Sequence, residues 1–419
     1  MVNVPKGTKD MLPRESHKWQ AVEAAAKKIT ALYNVKQIRT PVFEHAELFL
    51  RSIGDSTDIV NKEMYIFEDK GGRKMALRPE GTAGVVRSVL ENNLCETLPQ
   101  KVFYIEGVYR YEQPQAGRYR EHHQFGAEFF GSELPCFEVE LLSMARDFLK
   151  EIGFSDLRLR INTIGCNECR AEYNKALRAF LAGVKDKICG DCKRRAEINP
   201  LRTLDCKVPS CKEIYKSAPQ ISDFLCDNCK QHHKQVLKGL DAAGIQYFED
   251  KNLVRGLDYY TRTVFEFCDG DLAVLGGGRY DNLCEQLGGK HTPCVGFGCG
   301  IERLIAAAET RGIEFADNTP YVFAAAQCDS ARETCADIVA QLRNIGVSAE
   351  YDLMGKSLKA QFRYADRQGF PYVITVGEAE MQSGKYTLKR MADGNTTAIG
   401  AARLAQDVKS AVEKDRAQS

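Results

Sequence analysis

The stretch KVFYIEGVYRYEQPQAGRYREHHQFGAEFFG, residues 101–131, decides the fold. Its two ends alternate apolar and polar residues as strands do, while its middle, EQPQAGRYREH, is polar and carries Pro114 and Gly117. That pattern predicts an antiparallel hairpin with a long basic tip. Arg110 and Arg118 on it can pair with phosphate, and Gln124 and Glu128, four apart in the returning strand, share one face. Guanidinium groups beside a carboxylate suit a phosphorylated ligand with a cationic part. A merely solvated hairpin leaves four glycines and many aromatic residues around those charges without a purpose.

With 419 residues the chain has room for two to four domains and a large core. It is 44% hydrophobic and 27% charged, with no apolar run long enough to cross a bilayer. The first residues, MVNVPKGTKDMLPRES, lack the apolar core of a signal peptide, so a cytoplasmic location is expected. At a net charge of +1, a nucleic-acid partner would have to be held by local basic patches.

Sixteen cysteines without a secretion signal are expected to be thiols or metal ligands. Eight lie between Cys166 and Cys229: Cys166 with Cys169, Cys189 with Cys192 and Cys226 with Cys229 as C-x-x-C units, and Cys206 with Cys211 across a four-residue gap. A C-x-x-C unit brings two thiolates to one tetrahedral ion, and eight thiols suit two structural zinc sites. Spacing does not say which pairs share an ion, and reduced, unligated cysteines are the alternative.

Along the chain, Trp19, Val22, Ala26, Ile29 and Tyr33 are spaced for a first amphipathic helix. Residues 64–68 and 73–78 alternate as a hairpin joined at Gly71 and Gly72, and the second strand runs into LRPEGTAG. Pro79 and Gly81 break it, Thr82 is expected to cap the next helix, and Glu80 is left at the corner, where side chains often face a ligand. A helix over 137–152 and a strand over 157–165 precede the cysteine-rich segment, for which three helical segments are expected. Strands return from Gln246 through RGLDYYTRTVFEF, LAVLGGGRYDNL and CVGFGCGIERL. Asn318-Thr319-Pro320 reads as a linker, and the βαβαβ order beyond it predicts an α/β domain with a largely parallel sheet. The glycines of GGGRY allow close backbone approach, with no P-loop or Rossmann spacing. His122 and His123 are expected to lie one on each face of the hairpin, with no chemistry.

Residues 101–131 resemble the second signature motif of class II aminoacyl-tRNA synthetases, and GFGCGIERL at 296–304 resembles the third. RGLDYY at 255–260, followed by a strand, is close to a signature of the histidyl-tRNA synthetase family, and the resemblance covers nearly the whole chain from PKGTKD onward. It implies an α+β fold: a class II antiparallel sheet flanked by helices (residues 1–165 and 245–318), an inserted domain (166–244) and a C-terminal α/β anticodon-binding domain (320–419). It implies ATP-dependent activation of histidine and charging of histidine tRNA, with Mg2+ sharing the triphosphate charge and a homodimer built by the segment around 37–52.

By the family's pattern Arg110 and Arg255 serve the α-phosphate or reacting carboxylate, and Arg118 and Arg303 hold the β and γ groups. Glu80 and Thr82 receive the ammonium; Gln124, Glu128, Tyr259, Tyr260 and Tyr280 line the histidine pocket, with Glu128 and Tyr260 meeting the two ring nitrogens. Gln113, Gln115 and Arg120 are expected at the tRNA acceptor end. Lys356, Lys359, Arg363 and Arg367, read as one helical stripe, are expected at RNA phosphates. The rival readings are a histidine-binding regulatory paralogue without catalysis and an RNA-binding protein on the same scaffold. Neither needs the four arginines.

Overall fold

The hairpin lies inside an eight-stranded sheet. The computed structural model describes residues 2–54, 57, 59–113, 117–315 and 321–416. Its strands in chain order are β1 (Lys36–Gln37), β2 (Phe43–His45), β3 (Ile66–Glu68), β4 (Lys74–Leu77), β5 (Gln100–Tyr109), β6 (Glu121–Phe130), β7 (Arg158–Thr163), β8 (Tyr247–Glu249), β9 (Thr261–Asp269), β10 (Leu272–Arg279) and β11 (Cys294–Gly300). β5 and β6 pair antiparallel, from Gln100 opposite Phe130 to Tyr109 opposite Glu121. The sheet order is β1-β5-β6-β11-β10-β9-β7-β8; the β1–β5 and β7–β8 pairs at the edges are parallel and the inner pairs antiparallel. β2, β4 and β3 form a separate three-stranded sheet.

The period of two along each strand divides the large sheet into two faces. Phe125, Ala127 and Phe129 of β6 join Phe103, Phe265 and Phe297 in the main core, under the helices Pro13–Leu32, Cys136–Ile152 and Ile301–Thr310. The opposite face carries Val102, Tyr104, Phe130, Val264 and Tyr280, packed against Val85, Val86 and Val89 of the helix Thr82–Glu91. Gln124 and Glu128 fall on this second face.

Between β7 and β8 the chain runs through four α-helices, Asn167–Gly183, Gly190–Ile198, Pro209–Tyr215 and Asp227–Ala242, one more than expected. They enclose a small core that includes Tyr173, Leu177, Leu181 and Tyr215 together with five of the cysteines, and they belong to the same compact unit as the sheet.

The other unit, Asp317–Ser419, has strands β12 (Val322–Ala326), β13 (Ala349–Tyr351), β14 (Tyr372–Val376), β15 (Lys385–Arg390) and β16 (Thr396–Gly400). Its sheet order is β13-β12-β14-β15-β16, with β13, β12 and β14 parallel. The expectation of a largely parallel sheet missed the antiparallel pair β15–β16, whose turn at Asp393-Gly394 is an ordinary hairpin signal. The linker residues Asn318, Thr319 and Pro320 lie outside the described residues. Among the described residues, no helix is long and apolar enough to cross a membrane.

One buried ion pair joins helix to sheet. Glu138 of Cys136–Ile152 accepts from Arg279 Nε of β10 at 2.8 Å and from Thr263 Oγ1 at 3.1 Å, and lies 2.6 Å from His232 Nε2 of Asp227–Ala242. Arg279 also donates to Asp281 at 3.0 Å, and the Arg279 and Glu138 side chains are fully buried. Burial alone would raise the Glu138 pKa; the hydrogen bonds and charge of Arg279, then those of His232, hold it down at about 2. Its stabilisation is therefore present above the ordinary value of 4.5 and is lost as pH falls toward 2. Arg279→Ala leaves the carboxylate buried without its cation and is expected to cost about 3–5 kcal/mol at neutral pH in urea unfolding. The deficit should shrink as pH falls through 4.5 toward 2.

Candidate active site

The functional face is made by glycines in one strand opposite large polar residues in the next. β11 pairs with β6 so that Gly296 faces Glu128 and Gly300 faces Gln124, with Gly298 opposite Gly126. A Cβ at Gly296 would lie 1.6 Å from Glu128 Oε2, and one at Gly298 would lie 1.9 Å from Gln124 Nε2. The alternating glycines of GFGCG thus let both side chains lie flat across the sheet. The same logic holds in β10, where a Cβ at Gly276 would meet the Arg255 guanidinium at 2.6 Å.

At one end of this face is a buried polar pocket. Glu128, 1% exposed, accepts from Thr82 Oγ1 at 2.7 Å and from the Tyr280 hydroxyl, with the Tyr104 hydroxyl at 3.4 Å. Tyr259 packs against Tyr260 and Tyr280 with ring centroids 4.7 and 5.4 Å apart. Burial pushes the Glu128 pKa up to about 8, against the pull of the Tyr280 and Thr82 hydrogen bonds. Glu80 is also raised by burial, although it accepts the backbone N–H groups of Thr82 and Ala83 at 2.8 Å each. Those bonds make Glu80 the group that satisfies the start of the helix Thr82–Glu91. The expected cap, Thr82, is instead the first helical residue and spends its hydroxyl on Glu128.

At the other end lies an open cleft lined by Arg110, Arg118, Arg255 and Arg303 together with Gln124. Arg110 Nε donates to the Pro79 carbonyl at 2.6 Å, and Arg303 Nη1 to the Ala273 carbonyl at 3.1 Å. Arg255 pairs with Glu266, and Glu112 sits 3.9 Å from Arg110 and 3.8 Å from Arg118. Burial and the neighbouring Arg118 charge lower the pKa of Arg303, as expected where cations crowd. Such a cleft favours a polyanion. Gln124 Oε1 is buried without a partner, as is Arg255 Nε.

His122 also lines the cleft, a neighbour that sequence reasoning set aside. Burial, then the Arg110 charge, lowers its pKa to about 4, so it is a neutral ring at pH 7. His123 points elsewhere, to Glu302 at 2.8 Å. Glu302 is therefore occupied by His123, and Arg303 is left for the cleft.

The eight cysteines gather as two quartets, Cys166 with Cys169, Cys226 and Cys229, and Cys189 with Cys192, Cys206 and Cys211. Within each, all sulfurs lie within 4.8 Å of one another. Spacing had left this pairing open; it joins the first C-x-x-C to the last.

Residues 7–304 match the family model described as histidyl-tRNA synthetase, and residues 319–411 match that of the anticodon binding domain. The chain belongs to the histidyl-tRNA synthetase family. It is 51% identical over 406 residues to the histidine–tRNA ligase of Acetivibrio thermocellus, covering 95% of this chain and 97% of that one. It is 47% identical to that of Halothermothrix orenii, covering 98% and 100%. Among solved structures it resembles the apo histidyl-tRNA synthetase of S. aureus, with a TM-score of 0.81 and 37% identity over 98% of this chain and all of that one.

The residues expected at RNA lie on the hairpin of the first unit and on or just before one helix of the second. Gln113 is exposed, Gln115 lies outside the described residues, and Arg120 stacks on the Tyr111 ring at 3.7 Å. In the C-terminal unit the helix runs from Leu358 to Arg367 and exposes Lys359, Arg363 and Arg367. Lys356 precedes its N-cap, Ser357, so it is not part of the helical stripe; its ammonium lies 5.2 Å from the Tyr364 ring.

A raised Glu128 pKa means that ionising this group destabilises the unliganded protein: stability is full below 4.5 and declines as pH rises through about 8. Glu128→Gln is therefore expected to raise the Tm by a few degrees at pH 8.5 and to leave it nearly unchanged at pH 5, by calorimetry without ligand. Equal shifts at both pH values would contradict the assignment.

Proposed function

We infer that the chain is a histidine–tRNA ligase, an aminoacyl-tRNA synthetase that joins histidine to ATP as histidyl-adenylate and passes the histidyl group to the 3′ end of histidine tRNA. The observation that carries this reading is the continuity of one strand face, with the buried Glu128 and Tyr259, Tyr260 and Tyr280 at one end and four arginines at the other. An amino acid in the pocket would present its carboxylate toward the triphosphate end.

No protein nucleophile is required. A histidine carboxylate oxygen attacks the α-phosphorus in line, the bond to the bridging oxygen breaks, and pyrophosphate leaves. Arg110 and Arg255 neutralise charge at the α-phosphate, while Arg118 and Arg303 hold the β and γ groups. In the second step the terminal ribose hydroxyl of the tRNA attacks the adenylate carbonyl and AMP departs.

Glu128 accepts from one imidazole N–H and Tyr260 meets the other nitrogen; Glu80 and Thr82 take the ammonium, and Gln124, Tyr259 and Tyr280 complete the walls. An apolar amino acid would leave these buried groups unpaired, so selectivity needs no editing domain. Glu112, 3.9 Å from Arg110 and 3.8 Å from Arg118, is the carboxylate of the cleft that would hold magnesium. When bound, it would share the triphosphate charge. The same reading includes a cytoplasmic location and tRNA contacts from Gln113, Arg120, Lys356, Lys359, Arg363 and Arg367. A regulatory histidine-binding subunit would have no use for the arginine cleft.

The dimer expected from the segment around 37–52 is supported by a small apolar patch: Phe43 of β2 and Phe67 of β3 lie on one face of the three-stranded sheet, both exposed, with their rings 6.3 Å apart. Covering such a patch with a second copy is our proposal. Sedimentation is expected to give twice the chain mass, and Phe43→Glu with Phe67→Glu is expected to give single chains.

The direct test is histidine-dependent exchange of pyrophosphate into ATP. Arg255→Ala is expected to lower kcat by about 10²–10³. Glu128→Ala should raise the histidine KM far more than the ATP KM, and equal changes in both would remove its assigned role.

A further inference from the structure

The helical insertion touches the proposed histidine pocket at the segment RGLDYY, through residues that follow or lie between cysteines of the two quartets in sequence. Residues 253–260 have no regular helix or strand, yet they carry Arg255, Tyr259 and Tyr260. Arg170, one residue beyond Cys169, donates from Nη1 to the Tyr260 carbonyl at 3.0 Å. Between Cys192 and Cys206, Asn199 Nδ2 donates to Asp258 Oδ1 at 2.8 Å, Arg202 Nε reaches the same oxygen at 3.3 Å, and Arg202 Nη2 donates to the Gly256 carbonyl. The insertion thus holds this segment at three successive places.

The sulfur geometry suits one tetrahedral ion per quartet. Zinc–thiolate bonds of about 2.3 Å put sulfurs about 3.8 Å apart in a tetrahedron. The Cys189–Cys206 and Cys166–Cys169 sulfurs are 3.8 and 3.5 Å apart, whereas a disulfide requires about 2.05 Å. Backbone N–H groups add charge compensation: Cys226 N donates to Cys169 Sγ at 3.1 Å and Cys189 N to Cys211 Sγ at 3.2 Å. Cys166, Cys189 and Cys226 each precede a helix, so three helix N-termini face the two sulfur clusters.

We propose that each quartet binds one zinc ion, and that the two ions fix the insertion so that Arg170, Asn199 and Arg202 position the Arg255–Tyr260 segment for the amino acid. The role in substrate affinity rests on the ligase reading above; the metal assignment does not. Arg170, Asn199 and Arg202 are positioning residues, acting through the pocket side chains.

The test uses the full chain purified without chelator. Elemental analysis is expected to find two zinc ions per chain; well under one, or iron in their place, overturns the metal assignment. Arg202→Ala leaves all eight thiols in place and is expected to keep both ions. Its histidine KM in pyrophosphate exchange should rise about tenfold with the ATP KM within about twofold, and kcat should fall as well because the same segment carries Arg255, since small misplacements of a reacting or binding group weaken its interactions steeply. Cys206→Ser is expected to lose one ion with the same selective rise. An unchanged histidine KM in Arg202→Ala overturns the positioning role, whatever happens to the cysteine variant. Two zinc ions in a wild-type chain that shows no histidine-dependent exchange would instead overturn the ligase reading. Calorimetric histidine binding to wild type and Arg202→Ala would then decide the positioning role.

Discussion

A single buried carboxylate constrains the catalytic unit. Glu138 lies where a core helix, two strands and the last helix of the insertion converge, and it is tolerable there only because Arg279 and His232 meet it. Arg279 in turn fixes the register of β10. With Arg279 turned toward the helix, the alternation of the strand sends Gly276, Gly278 and Tyr280 to the other face, beside Arg255, Tyr260 and Glu128. A slip of one residue would exchange those two sets.

The site itself is a contrast between two environments on one strand. Gln124 and Glu128 are separated by about 13 Å at 3.3 Å per residue. At the Glu128 end, water is excluded and a carboxyl group holds its proton near neutrality. At the Gln124 end, cations gather in an open cleft. On the reading proposed here the reacting atoms meet between them, where charge moves from one group to the other.

Much of this was legible in the sequence because it is local. The alternation in 101–131 gave away the hairpin, and the glycines around 276–278 and 296–300 marked strands that others approach closely. What escaped depends on long-range approach or on competition between neighbours. Thr82 has the side chain of a cap, but Glu80 reaches the same N–H groups and leaves the hydroxyl for Glu128. His122 looked like a hairpin residue, and only the docking of Arg110 and Arg303 around it makes it part of the cleft. Lys356 fell outside its stripe because the helix starts later than a period of 3.6 alone implies. The β15–β16 hairpin had its Asp-Gly turn in plain view, and the strong βαβ pattern before it drew attention away.

The first quartet joins the entrance of the helical insertion to the first turn of its last helix, Cys166 and Cys169 to Cys226 and Cys229. Closing a loop of about 60 residues costs only slightly more entropy than closing a short one, because the cost grows with the logarithm of length. To the sheet, then, the whole excursion is a short connection between the neighbouring strands β7 and β8. A polypeptide drawn together at its neck is a cassette. Its contents between the two cysteine pairs can be lengthened, trimmed or exchanged over evolutionary time without shifting a single pairing in the sheet, provided that the helix Asp227–Ala242 still brings His232 to Glu138 and that whatever replaces the rest still extends a few side chains to Gly256, Asp258 and Tyr260.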